Sequence, residues 1–209
     1  MAAADLPFDL GDAQRSALEA AYATPPRAYH DFRHVAEVLR DYAAVASGPG
    51  WRQPREVALA MLYHDAIYQP GRDDNEARSA RFALEQIARW QPEAGIDAQR
   101  VAHLIGLTAR HGGFVPADFD HDPAPDDARR FLDCDMAILG AEPAAFDAYD
   151  RGIAAEYRGT LPAWLFRFNR RRFLKALLAR ERIFLSDFFH SRLDAQARAN
   201  LRRAVNEKR

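Results

Sequence analysis

The run Leu59-Ala60-Met61-Leu62-Tyr63-His64-Asp65-Ala66-Ile67-Tyr68 constrains this chain more than any other. It is apolar almost all round a helical wheel, which requires a helix enclosed by other elements rather than one resting on a surface. Yet it carries an adjacent His and Asp, and burying an unpaired charge is costly. A divalent cation is one partner that would compensate the pair. His30 and His34 upstream, with Asp133 and Asp135 downstream, offer further ligands of the right type.

Almost every other segment also reads with a helical period. Helices are expected over residues 12–22, 30–46, 54–68, 73–90, 98–111, 126–139, 143–157, 162–179 and 194–209. Breaks fall at Pro25-Pro26, Ser47-Gly48-Pro49-Gly50, Gln69-Pro70-Gly71 and Gly112-Gly113. Asp97 is an N-cap candidate, and the Asp- and Pro-rich stretch 114–125 reads as a loop. No stretch alternates with period two, so the expected class is all-α, and 209 residues suit one domain. The formal net charge of -1 makes no global argument for nucleic acid or membrane. No apolar stretch approaches ~20 residues, and no basic-plus-apolar leader is read at residues 1–5. Cys134 is the single cysteine, so no intramolecular disulfide is possible; a cytoplasmic setting is expected, with Cys134 as a small core residue.

At ~100° per residue, helical wheels show which polar residues turn inward. Over 126–139 the apolar face is marked by Ala128, Phe131, Leu132, Ile138 and Leu139. Asp135 falls in the middle of it and Asp133 roughly opposite, the latter reading as a capping, outer or solvated carboxylate. His111 lies on the stripe of Val101, Leu104, Ile105 and Thr108. His64 shares a face with Val57, Met61 and Tyr68, with Asp65 beside it in angle. His34 sits at the edge of the stripe of Val38 and Val45, and His30, one turn earlier, lies further toward the polar side.

The order His34, His64-Asp65, Asp135 resembles the H…HD…D signature of the HD superfamily of metal-dependent phosphohydrolases. The stretches Tyr29-His30-Asp31-Phe32-Arg33-His34, Tyr63-His64-Asp65-Ala66-Ile67-Tyr68 with Asp74-Asn75-Glu76-Ala77-Arg78-Ser79-Ala80, and Phe131-Leu132-Asp133-Cys134-Asp135-Met136 are similar to one bacterial branch of HD hydrolases. The resemblance implies a single HD-type helical bundle over 1–209, with its core at about 29–184 and a C-terminal helix at about 194–209. It also implies a divalent metal on His34, His64, Asp65 and Asp135. The mixed nitrogen and oxygen donors suit Mn, Fe, Co, Ni or Zn better than Mg. One ion is the expectation; His111 leaves a second open. The implied activity is hydrolysis of a phosphoester or phosphoanhydride by metal-activated water, with nucleotides among the candidate substrates. The alternative is a catalytically silent HD-fold sensor or adaptor that binds nucleotide or metal.

Around this set, Glu76 reads both as the end of a capping box begun by Asp73 and as the acid that handles the attacking water. Arg33 reads as a partner for a phosphoryl oxygen or for a surface acid, the first being expected; His30 reads as a substrate contact or a cap of the second helix, and His111 as a substrate contact, an extra ligand or a helix C-terminal histidine. The arginine-dense segment 167–182 reads either as an RNA-facing basic helix or as an amphipathic helix with a solvated basic face; the balanced net charge favours the second, and nucleic acid is disfavoured as a partner. Trp164 and Phe166, expected on the surface, permit a homodimer.

Overall fold

The computed structural model describes residues 6–206. The N-terminal leader reading, at residues 1–5, and the last three residues of the expected C-terminal helix lie outside that range. Among the described residues there are nine α-helices and no strand: α1 Asp12–Tyr22, α2 Phe32–Ala46, α3 Pro54–Tyr63, α4 Asn75–Trp90, α5 Ala98–Leu107, α6 Pro125–Met136, α7 Pro143–Glu156, α8 Ala163–Leu178 and α9 Asp187–Asn206. The all-α expectation holds. No helix among them is long and apolar enough to cross a membrane.

The central position of α3 follows from its composition. Every residue from Val57 to Tyr63 is buried, and α3 packs on α2, α4, α5 and α6. Its entry is pinned by Asp127 of α6, whose carboxylate accepts from the backbone N–H groups of Arg52 and Gln53 at 2.7–3.1 Å. Those donors would otherwise be orphaned at a helix start.

Three boundaries differ most from the sequence expectation, and the first two shape the site. First, α3 stops at Tyr63, five residues before Tyr68, although no Gly or Pro intervenes. The last carbonyls are taken from outside. The Tyr22 hydroxyl donates to Leu62 O, the Arg27 guanidinium to Asp65 O and Ala66 O, and Ser79 bridges the N–H and C=O of Ile67. Tertiary donors thus replace the next helical turn, and His64-Asp65 sits on the bend. Second, α2 begins at Phe32, with Asp31 capping it through the Arg33 N–H, so His30 lies in the preceding loop and not one turn back on the helix. Third, α9 begins at Asp187 and covers the face of α6 opposite the site.

Shorter adjustments tighten helix ends. The chain passes into 3-10 turns at Thr108–Arg110 and Ala137–Gly140 where continuous helix was expected. Another such turn, Pro116–Phe119, lies in the expected loop. Gly112 (φ +73°) supplies the left-handed conformation that reverses the chain directly after His111.

Candidate metal centre

Four side chains meet where α2, the end of α3 and α6 converge. One ligand-type atom from each of His34, His64, Asp65 and Asp135 lies within 4.8 Å of all the others. His34 Nε2 is 3.1 Å from His64 Nε2, 3.2 Å from Asp135 Oδ1 and 3.7 Å from Asp65 Oδ2. His64 Nε2 is 3.2 Å from Asp65 Oδ2 and 3.5 Å from Asp135 Oδ1. Bonds of ~2.0–2.2 Å to one ion would hold neighbouring donors about 3.0–3.5 Å apart, so this donor set fits a single divalent cation. The tautomer also fits. His64 Nδ1–H donates to Met61 O at 2.9 Å, which leaves the Nε2 lone pair facing the centre.

Electrostatics inside the cluster are strongly coupled. Burial alone would push the Asp135 carboxyl up; His111, His34 and His64 outweigh it and hold it well below the ordinary carboxylate range. Burial likewise acts upward on Asp65, and His64 and His30 reverse it. For His64 burial acts downward, but the two carboxylates raise its imidazole well above the usual histidine value. The two carboxylates thus favour positive charge at His64 Nε2, a place that a metal ion would take from the proton.

Asp65 and Asp135 reach the floor of a cavity of about 290 Å³, bordered also by His30, Tyr68, Glu76, His111 and Arg170. His111 Nδ1–H donates to Asp135 Oδ2 at 2.7 Å, while its side chain remains 40% exposed at the opening. It therefore orients a member of the set rather than joining it. His30 is held by a residue that sequence reasoning missed. Glu156, at the end of α7, accepts the backbone N–H groups of Ala28, Tyr29 and His30 on Oε1 at 2.8–2.9 Å, and His30 Nδ1–H on Oε2 at 2.7 Å. His30 then packs against Tyr68 with the rings tilted by 33° and centroids 4.2 Å apart, its Nε2 4.0 Å from Asp65 Oδ2. The wheel test that found Asp135 also places Glu156 on the face of Tyr149, Gly152 and Ile153, so a signal for it existed.

Other expected residues go elsewhere. Arg33 is not brought to the cavity: its side chain is 80% exposed and its guanidinium closes on Asp31 at 2.6–2.9 Å. The arginines that line the cavity are Arg72 and Arg170. Arg170 is set between Tyr149 and Phe173 and bound to Asp150 at 3.0 Å. The capping box of Asp73 and Glu76 does not form; Asp74 precedes α4 without a side-chain cap, and Glu76 faces the cavity. Asn75 bonds both the N–H and C=O of Gln69 and closes the loop before α4. Asp133 is not solvated and lies outside the donor set. It is buried and accepts from Leu185 N, Ser186 N and the Ser186 hydroxyl at 2.6–2.7 Å. The cause is the early start of α9, which covers that face of α6. Asp97 caps α5 as expected, and Cys134 is buried.

Glu156 carries a pH prediction. Burial raises its carboxyl, but His30 and the backbone donors bring it down to about 2. A carboxyl depressed on folding contributes stability that is complete above its ordinary value near 4.5 and is lost as pH falls toward 2. The shift corresponds to about 3 kcal/mol. Glu156→Gln is therefore expected to lower the urea midpoint at pH 7 and to lose most of that deficit near pH 2.5. An equal deficit at both pH values would contradict the assignment.

Comparison with protein-family models, with curated proteins and with solved structures returns no match. The functional reading therefore stands on the cluster and its cavity.

Proposed function

We propose that this protein is a metal-dependent phosphohydrolase of the HD type, cleaving a phosphoester or phosphoanhydride of a small substrate, with nucleotides among the candidates. The observation that carries the reading is the convergence of two imidazoles and two carboxylates at single-ion spacing, at the floor of an open cavity that also holds arginines. The order of those four residues along the chain agrees with the resemblance.

A bound divalent cation supplies a water of lowered pKa and polarises a phosphoryl oxygen. In this reading, Glu76 on the first turn of α4 accepts the proton of the attacking water. Arg170 takes the cationic role that the sequence suggested for Arg33, drawing the phosphoryl oxygens into the cavity, while Arg72, at the cavity wall, is closed on Asp74 at 2.6 Å. His30, fixed by Glu156, and His111, fixed by Asp135, present their remaining ring nitrogens to the substrate. Tyr149 and Phe173 supply apolar wall.

The test is a hydrolysis screen over nucleotides and generic phosphoesters, with each of Mn, Fe, Co, Ni, Zn and Mg supplied to chelator-treated protein. Metal-restored release of phosphate is expected. With the best substrate, Glu76→Gln should lower kcat by about a hundredfold to ten-thousandfold and leave metal content unchanged. Metal binding without turnover of any substrate would favour the sensor or adaptor instead.

A further inference from the structure

A second, larger groove of about 860 Å³ runs between the end of α7, α8 and the end of α9. It shares a wall with the metal-side cavity, because Tyr157 and Arg170 line both. One strip of α8 forms its outer edge. Trp164, Arg167, Phe168 and Arg171 follow at helical spacing within an arc of about 100°. Trp164 is 66% and Phe168 60% exposed, which is unusual for rings of that size in a chain whose other aromatics are largely covered. Phe166, expected beside Trp164 at the surface, instead packs on Tyr157 with centroids 5.3 Å apart.

The charge around the groove is mostly positive: among the described residues its lining holds one acid, Asp150, which is bound to Arg170 at 3.0 Å. Arg151, Arg158, Arg167 and Arg171 all line it. None of the four enters an ion pair found among the described residues, whereas Arg170, Arg182, Arg198 and Arg203 nearby are each bound to an aspartate. Open ring faces interleaved with these guanidinium groups suit an occupant that carries both flat rings and repeated negative charge. An acidic peptide supplies the charge but not the rings. A single-stranded nucleic acid supplies both: bases stack on aromatic faces, and phosphates meet the cations. Its terminal phosphate would also belong in the adjoining cavity.

We propose that this groove is an extended substrate site for a short single-stranded oligonucleotide whose terminal phosphate lies in the cavity beside the metal centre. The substrate class rests on the phosphohydrolase reading; the binding surface is tested apart from turnover.

The experiment is fluorescence anisotropy of a 5′-phosphorylated hexathymidylate, labelled at its 3′ end, with the chelator-treated full chain over a range of salt. Binding that weakens with salt is expected. Arg167→Gln with Arg171→Gln should reduce the magnitude of the log–log salt slope by about 1.4, since each phosphate contact on a single strand contributes ~0.7. Trp164→Ala should weaken binding between about fivefold and a hundredfold through lost stacking. All three side chains are exposed, and far-ultraviolet circular dichroism checks that each variant folds. The proposal is overturned by absence of salt-dependent binding, by binding that neither variant changes, or by equal displacement with a poly-glutamate peptide of matched charge, which would mark an acidic-peptide site. Oligonucleotide binding without hydrolysis of any phosphoester would defeat the hydrolase reading alone. Hydrolysis of small phosphoesters without oligonucleotide binding would defeat this one alone.

Discussion

Asp65→Ala is expected to empty the metal centre and to lower phosphoester hydrolysis by about a thousandfold or more, a loss of about 4 kcal/mol of transition-state stabilisation. The helical circular-dichroism signal should persist. Asp65 Oδ2 faces both His34 and His64 Nε2 and borders the cavity, so its removal takes away a candidate ligand and also part of the compensation for the His64 imidazole. The bend it occupies is held through backbone carbonyls by Arg27 and Tyr22 and not through its own carboxylate, which is why the fold should survive. His64→Ala should have the same effect on metal and activity, with a further loss of stability because it opens a cavity beside α3. Metal content measured on purified protein after loading and desalting, together with hydrolysis of the best substrate, decides the matter. Full activity in a metal-free sample of either variant would defeat the proposal.

Asp133→Ala should behave oppositely, although Asp133 is only two residues from Asp135 on the same helix. It leaves three donors without a partner, namely Leu185 N–H, Ser186 N–H and the Ser186 hydroxyl. At about 1 kcal/mol or more for each unsatisfied group, a destabilisation of about 3 kcal/mol is expected near pH 5. The start of α9 should loosen, since the Ser186 hydroxyl also accepts from Phe189 N. Burial pushes the Asp133 carboxyl up to about 7. The folded state therefore holds that proton more tightly than the unfolded chain does. The protein gains from it below the ordinary carboxylate value near 3.8 and loses the gain as pH rises through 7. The gap between wild type and variant should accordingly shrink from pH 5 to pH 8. Denaturant midpoints at the two pH values check this, and metal stoichiometry should remain that of the wild type. A gap that widened with pH, or a loss of metal, would place Asp133 in the cluster instead.

The contrast between these two aspartates shows how much of the centre was legible beforehand. A helical wheel separates Asp135 from Asp133 because both lie on one regular helix with a strong apolar face. The same test places His34 and His64 inward. Glu156 was within its reach, but its partners, the backbone N–H groups of 28–30, lie in a loop that no periodicity describes. Arg33 misled because proximity in sequence to His34 says nothing about which way a first-turn side chain points. Asp31, two residues earlier and capping the same helix, captures it.

By itself the sequence determined the helical class and the buried run through α3, and periodicity with the cost of burying charge turned His34, His64, Asp65, Asp135 and also His111 inward; the resemblance narrowed these to four. Only the tertiary structure decided where helices stop and which outer residues serve the site. The end of α3 depends on Tyr22, Arg27 and Ser79, and the burial of Asp133 depends on α9. The cations at the cavity come from α8 and the loop before α4. Each of these joins residues far apart along the chain, and hydrogen bonds between distant segments leave no periodic trace in either segment alone.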